Sequence, residues 1–279
     1  MVLEELIGPK RAERSMFSVI ALGAIYSSVA LLVSIWIFGN QATLVMVFLT
    51  VLAALPLIHK VLIIEEKKES KKVFLLKEHS KALFVFLMLF VGFTIGFIFW
   101  FVVLPSTTTQ QVFSSQLSTI SAINTKISGN AISSYYLIPI LNNNLKVLLF
   151  TIIFSLFYGA GAIFIFAWNA SVIAAAIGAF IRGNIGNYAS LVGFSKVATY
   201  SQIISMGVLR YMTHGIFEIF AYLMAGLAGG IISIAIIRHR HDIKKMKAVL
   251  VDSIDLIILS IVVLVVAALI EVFVTPQMF

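Results

Sequence analysis

Residues 82–104 read ALFVFLMLFVGFTIGFIFWFVVL, a run of 23 residues with neither a charge nor a proline. A bilayer's hydrocarbon core is about 30 Å thick and a helix rises about 1.5 Å per residue, so about 20 apolar residues cross it. This run is a transmembrane helix. Working outward, five more segments meet the same standard, roughly 16–38, 42–64, 145–168, 213–237 and 253–274. A seventh, roughly 170–182, is shorter and rich in small residues. In lipid only helices or closed barrels satisfy the backbone, and these runs are too continuous for a barrel's alternation. The expected fold is all-α, a polytopic transmembrane bundle of about six to seven spans.

Composition agrees. The chain is 61% hydrophobic and 11% charged, whereas soluble domains run about 45–50% and about 25%. That excludes a soluble enzyme, a coiled coil, a disordered chain and a nucleic-acid-binding domain. No Cys is present, so there is neither a disulfide framework nor a thiolate metal site. Lys10, Arg11 and Arg14 precede an apolar run too long for a signal peptide, without a clear small-residue cleavage site. It reads as an uncleaved first span.

Orientation follows from Lys and Arg. With a cytoplasmic N-terminus and seven crossings, the cytoplasmic pieces hold three clusters. These are Lys10, Arg11 and Arg14; Lys60, Lys67, Lys68, Lys71, Lys72, Lys77 and Lys81; and Arg238, Arg240, Lys244, Lys245 and Lys247. Fifteen of the 20 basic residues then lie inside, leaving Lys126, Lys146, Arg182, Lys196 and Arg210 outside. The net charge of +8 is thereby a signature of topology rather than of nucleic-acid binding. If 170–182 did not cross, the Arg238–Lys247 cluster would change sides and the asymmetry would shrink. A re-entrant pair around 170–207 preserves parity and stays open. The expected protein is multi-pass in the cell membrane, with the N-terminus cytoplasmic and the C-terminus outside.

Residues 1–81 read as an N-terminal hairpin with a basic loop, and 82–279 as a second transmembrane domain. Its outer loop, about 105–141, is rich in Ser, Thr, Asn and Gln, with Lys126 as its sole charge. Phe113, Leu117, Ile120 and Ile127 recur at helical spacing. Part of the loop therefore reads either as a helix lying on the outer surface or as a polar linker. Pro105 and Pro139 bracket it as stops.

Ionisable residues within spans are functional candidates, because their burial in hydrocarbon is costly unless they are paired or hydrated. Arg210, His214, Glu218 and Tyr222 recur every four residues and share one helical stripe. Two readings compete. One is a coordination or proton-relay site; the other is a structural ladder in which Arg and Glu neutralise each other. Glu218 lies 20 residues from Arg238, about 30 Å of helix, which places it near the outer boundary. His214 and Glu218 supply two zinc ligands at most, and a catalytic zinc site usually has three. There is no H-E-x-x-H, and His59, His79, His239 and His241 read as loop residues. No G-x-S-x-G and no buried Asp pair marks a protease. Asp252 and Asp255 read as first-turn carboxylates of the last helix, favoured by its dipole. No cofactor, metal or catalytic residue is expected.

Gly92-x-x-x-Gly96 and Gly226-x-x-x-Gly230 fall inside spans, where they let another helix approach closely, within the bundle or in a second copy of the chain. Asn142, Asn143 and Asn144 open the fourth span, and Asn169 follows Trp168 at its inner end. Three Asn in a row exceed what a helix cap requires.

Taken in order, Asn143-Asn144-Leu145-Lys146-Val147, Gly159-Ala160-Gly161, Trp168-Asn169-Ala170, His214-Gly215-Ile216-Phe217-Glu218 and Ala225-Gly226 resemble the stage II sporulation protein M family. The resemblance covers about residues 82–275. It departs from the family pattern at Thr213, where Pro commonly precedes His-Gly, and the first two spans look like an added hairpin. The resemblance implies an integral membrane scaffold without enzymatic activity that organises membrane or extracytoplasmic protein partners. The family founder is similar to a scaffold that gathers cell-wall hydrolases in sporulating bacteria; members also occur where no sporulation takes place. The competing expectation is a transporter or channel, with the region 170–218 lining a path.

Overall fold

The computed structural model describes residues 15–67, 75–127, 136–156, 160–185, 193–239 and 242–278. Every regular element among them is helical: α1 (Met16–Phe38), α2 (Ala42–Glu66), α3 (Leu75–Val103), α4 (Ser106–Val112), α5 (Ser114–Ile127), α6 (Leu137–Ser155), α7 (Ala160–Ile185), α8 (Gly193–Arg238) and α9 (Ile243–Leu269). A π-helical turn, Ile270–Val274, and α10 (Thr275–Met278) complete the chain. Seven of these helices are long and apolar enough to cross a membrane. The protein is a multi-pass membrane bundle.

α8 is its axis. From Ala221 to Ile231 every residue is buried, and small residues make this possible. A methyl group on Gly226 would sit 2.7 Å from the Phe166 ring and 2.9 Å from Ala162, while one on Gly230 would meet Leu62 at 2.7 Å. α6 lies against the same face, where Gly229 accommodates Ser155 and the Ser233 hydroxyl donates to the Leu156 carbonyl at 2.6 Å. α1 packs equally closely on α3. A methyl group on Gly92 would lie 2.9 Å from the Gly23 Cα, and Gly96 faces Ser27 and Ala24. Without a hydrophobic force between helices in lipid, such close backbone approach is the main source of association. Large apolar side chains point the other way: Phe17, Trp36, Phe48, Phe99, Phe150 and Val262 are exposed, as a lipid-facing surface requires.

Two boundaries differ from those expected. The fourth span is not 145–168 with a short partner at 170–182. α6 ends at Ser155 and α7 runs unbroken from Ala160 to Ile185. Asn169 lies nine residues into α7 and donates to the Ile165 carbonyl at 2.8 Å, so it needs no water and marks no boundary. Pro139 is not a stop either. It occupies the first turn of α6, where a missing N–H costs nothing. The last helix also starts earlier than its apolar run. Asp242 caps α9 by accepting from the Lys245 amide at 3.1 Å, so Asp252 and Asp255 lie well inside the helix rather than in its first turn.

The polar segment after α3 is helical and docked. Phe113 is fully buried, edge-on to Phe97 and Phe101, with Leu117 and Ile120 packed against the core behind it. The side chain of Ile127 lies outside the described residues. α4 and α5 thus form a cap at one end of the bundle. The opposite end, where α2, α8 and the start of α9 bring Lys and Arg together, is the basic end.

Candidate functional site

Near the cap end, three helices converge on Glu218. Asn144 of α6 donates its side-chain amide to the Glu218 carboxylate. Asn143 donates in turn to the Asn144 carbonyl oxygen at 3.4 Å, which holds the amide with its N–H groups toward α8. This gives the consecutive asparagines distinct uses: Asn144 is buried and makes the cross-helix bond, while Asn143 is exposed and orients it.

From the other side comes Glu271, in the π-helical turn that follows α9. Its carboxyl group faces that of Glu218 within hydrogen-bonding reach. One turn further along the two helices, His214 Nδ1 meets the Thr275 hydroxyl at 3.3 Å. Tyr222, one turn deeper on α8, is buried close to both carboxyls. A π-turn widens the helix locally and often occurs where a side chain must be re-aimed. Here it lies at the contact with α8.

The structure brings three residues of the stripe together. His214, Glu218 and Tyr222 do meet one polar surface. The side chain of Arg210 lies outside the described residues, and the described partners of Glu218 are Asn144 and Glu271 rather than an arginine. Gly215 is not a packing glycine, for a methyl group there would approach Met212 no closer than 3.9 Å. Gly159 lies outside the described residues, and Gly161 falls in the first turn of α7.

Matching the asparagine pair on one helix and the His-Gly-x-x-Glu of another to a known pattern decides the family. The profile described as Stage II sporulation protein M matches residues 82–276. The chain belongs to the stage II sporulation protein M family. An uncharacterized protein of Methanocaldococcus jannaschii is similar to it, 27% identical over 191 residues that span 66% of this chain and 90% of that relative. No solved structure matches. In this family member, the motif residues on α6 and α8 are joined by a direct hydrogen bond.

Glu271 escapes notice in the sequence, although one signal was available: a lone carboxylate near the end of an otherwise uncharged apolar run. A second polar junction, at the basic end, was hidden by reading histidines as loop residues. His79 is buried within α3 and its Nδ1 lies 2.8 Å from Glu65. The adjacent Glu66 takes Arg238 at 3.0 Å and also His239. Both carboxylates are almost wholly enclosed. Among the described residues, no three His, Asp or Glu side chains converge closely enough to hold a metal ion.

Proposed function

We propose that this family member is a non-enzymatic membrane scaffold that seats membrane or extracytoplasmic protein partners on its cap end. On the positive-inside rule the cap lies outside, with the N-terminus cytoplasmic and the C-terminus outside.

The observation that carries this reading is how firmly a polar extramembrane segment is fixed to the bundle. Gln116 of α5 is fully buried; its carbonyl accepts from the Thr43 hydroxyl at 2.9 Å and its amide donates to Ser171 at 3.1 Å. Arg182 of α7 clasps the cap from below. Its guanidinium donates to the Phe101 and Leu104 carbonyls and to the Thr109 and Ser106 hydroxyls, at 2.8–3.2 Å. Both carbonyls lie at the C-terminal end of α3, where the Thr109 hydroxyl also donates to them and a cation suits the helix dipole. A surface held in one arrangement before a partner arrives loses less entropy on binding. A polar loop that served only as a linker would need no such fastening.

The test is co-purification from native membranes with two variants, Gln116→Leu and Arg182→Met. Loss of partner capture at unchanged folded yield supports a scaffold. Substrate flux through liposomes holding the purified chain alone, with no stable partner recovered, would instead support a transporter.

A further inference from the structure

α2 sorts its charges by side. Glu65 and Glu66, near its end, face inward and are almost wholly enclosed, against His79 and against Arg238 and His239. Lys60 and Lys67 are exposed. They are seven residues apart, close to two turns, so both stand over one line of the helix. On the inward side at this level Leu57, Ile58, Val61 and Leu62 are all buried. On the outward side the exposed Leu52 and Phe48 continue toward the cap. Lys60 thus looks out of the bundle into lipid. Among the described residues neither lysine has a carboxylate partner.

Depth sets Lys60 apart from the other lysines. The Thr43 hydroxyl bonds Gln116 of the cap, so α2 enters the bilayer at about Ala42. Lys60 follows 18 residues later (60 − 42), about 27 Å along the helix. That is short of the about 30 Å of hydrocarbon. Its backbone therefore lies within the apolar layer, and its four-carbon stem carries the ammonium to the headgroup level. Lys67 lies about 10 Å further on, inside the headgroup zone that brings the whole bilayer to about 40–45 Å. Side chains lean toward the N-terminus of their helix, so Lys67 inclines back toward Lys60. One cation approaches the phosphate layer from the hydrocarbon side and the other from the water side. A soluble acidic segment could meet Lys67, but reaching Lys60 requires an anion that sits in the bilayer.

We propose that the outward face of α2 binds the headgroup of an anionic phospholipid, its phosphate held between Lys60 and Lys67 and its acyl chains lying along Leu52 and Phe48. Lysines beside a membrane attract anionic lipid in this way. α2 lies outside residues 82–276, which match the family profile, so the site belongs to the added hairpin.

The full-length chain in nonionic detergent tests this, with phosphatidylglycerol or phosphatidylcholine of the same acyl chains titrated into the micelles. A saturable rise in thermal midpoint, several degrees greater with phosphatidylglycerol, is expected, because a ligand that binds the folded state stabilises it by mass action. Lys60→Leu combined with Lys67→Gln should remove that excess and leave the midpoint without added lipid close to wild type, since both side chains are exposed. Lys244→Gln combined with Lys247→Gln, exposed lysines of α9 at the same end, should leave the excess intact. Equal midpoints in the two lipids overturn the proposal, as does an excess that survives the α2 pair. An excess lost equally in the α9 pair means diffuse attraction to the basic end and overturns it too. So does the same rise with inorganic phosphate or a polyglutamate peptide, which would give the face to a soluble anion. Where the α2 pair yields no folded protein, Lys67→Gln alone decides, and an undiminished excess refutes the site.

Discussion

Asn144 and Glu218 lie 74 residues apart in the chain and on different helices, yet the amide of one donates to the carboxylate of the other. A bond of this kind at the end of a membrane bundle does two things. It satisfies a charge-bearing group that hydrocarbon would penalise, and it sets the rotation of α6 against α8. Glu271 adds α9 to the same joint, so three helices share one polar contact near the cap end.

Removing the acceptor should therefore loosen all three. Glu218→Ala leaves the Asn144 amide unpaired, and a buried donor without a partner costs about 1–3 kcal/mol. Glu218→Gln keeps an oxygen for Asn144 and offers N–H groups to Glu271, so its loss should stay under about 1 kcal/mol. Denaturation of the purified variants in detergent measures both. Equal and negligible losses would show that the joint bears no load. Under the scaffold reading, partner capture falls only in proportion to folded protein in both variants. A transporter would instead fold normally as Glu218→Gln and lose flux.

The close approach of α1 to α3 admits no side chain at Gly92, where a methyl group would already crowd the backbone of Gly23 and Ala24. Gly92→Leu should destabilise by about 1–3 kcal/mol or more, because backbone cannot give way as a side-chain tip does. Gly230→Leu should cost less than Gly92→Leu, since the atoms it meets are those of the flexible Leu62 side chain. Gly183 provides the control. Nothing lies within 4 Å of a methyl group there, so Gly183→Ala should be neutral or stabilising by up to about 1 kcal/mol through helix propensity. A Gly92→Leu variant with an unchanged midpoint would mean that the two helices do not pack this way in the membrane.

The orientation is accessible to labelling, because the chain has no Cys of its own. Ser118 is exposed on the cap and Lys245 is exposed at the basic end. On intact cells, a membrane-impermeant thiol reagent should modify Ser118→Cys and spare Lys245→Cys. The reverse pattern would invert the proposed topology.

Much of this was legible in the sequence because membrane burial is a local property. An uncharged run of about 20 residues identifies a helix wherever its neighbours lie, and i, i+4 spacing puts His214, Glu218 and Tyr222 on one stripe without any tertiary information. The break between α6 and α7 was not legible. The stretch from 145 to 182 is apolar on both sides of Ser155, and a polar residue such as Asn169 can satisfy itself on its own helix, so hydropathy carries no mark of the turn. The start of α9 was hidden for the opposite reason, since its first turns are basic rather than apolar.

What the sequence alone determined is the class of the protein: an all-α, multi-pass membrane chain with the motif order of one family. Only the tertiary structure decided which residues meet. Asn144, Glu218 and Glu271 come from α6, α8 and the π-turn after α9, and Glu65 and His79 from α2 and α3; no periodicity within a helix encodes a partner on another. Those contacts depend on how small residues such as Gly92, Gly226 and Gly229 let helices approach and rotate. In a solvent that exerts no hydrophobic force between them, that fit is a property of the whole bundle.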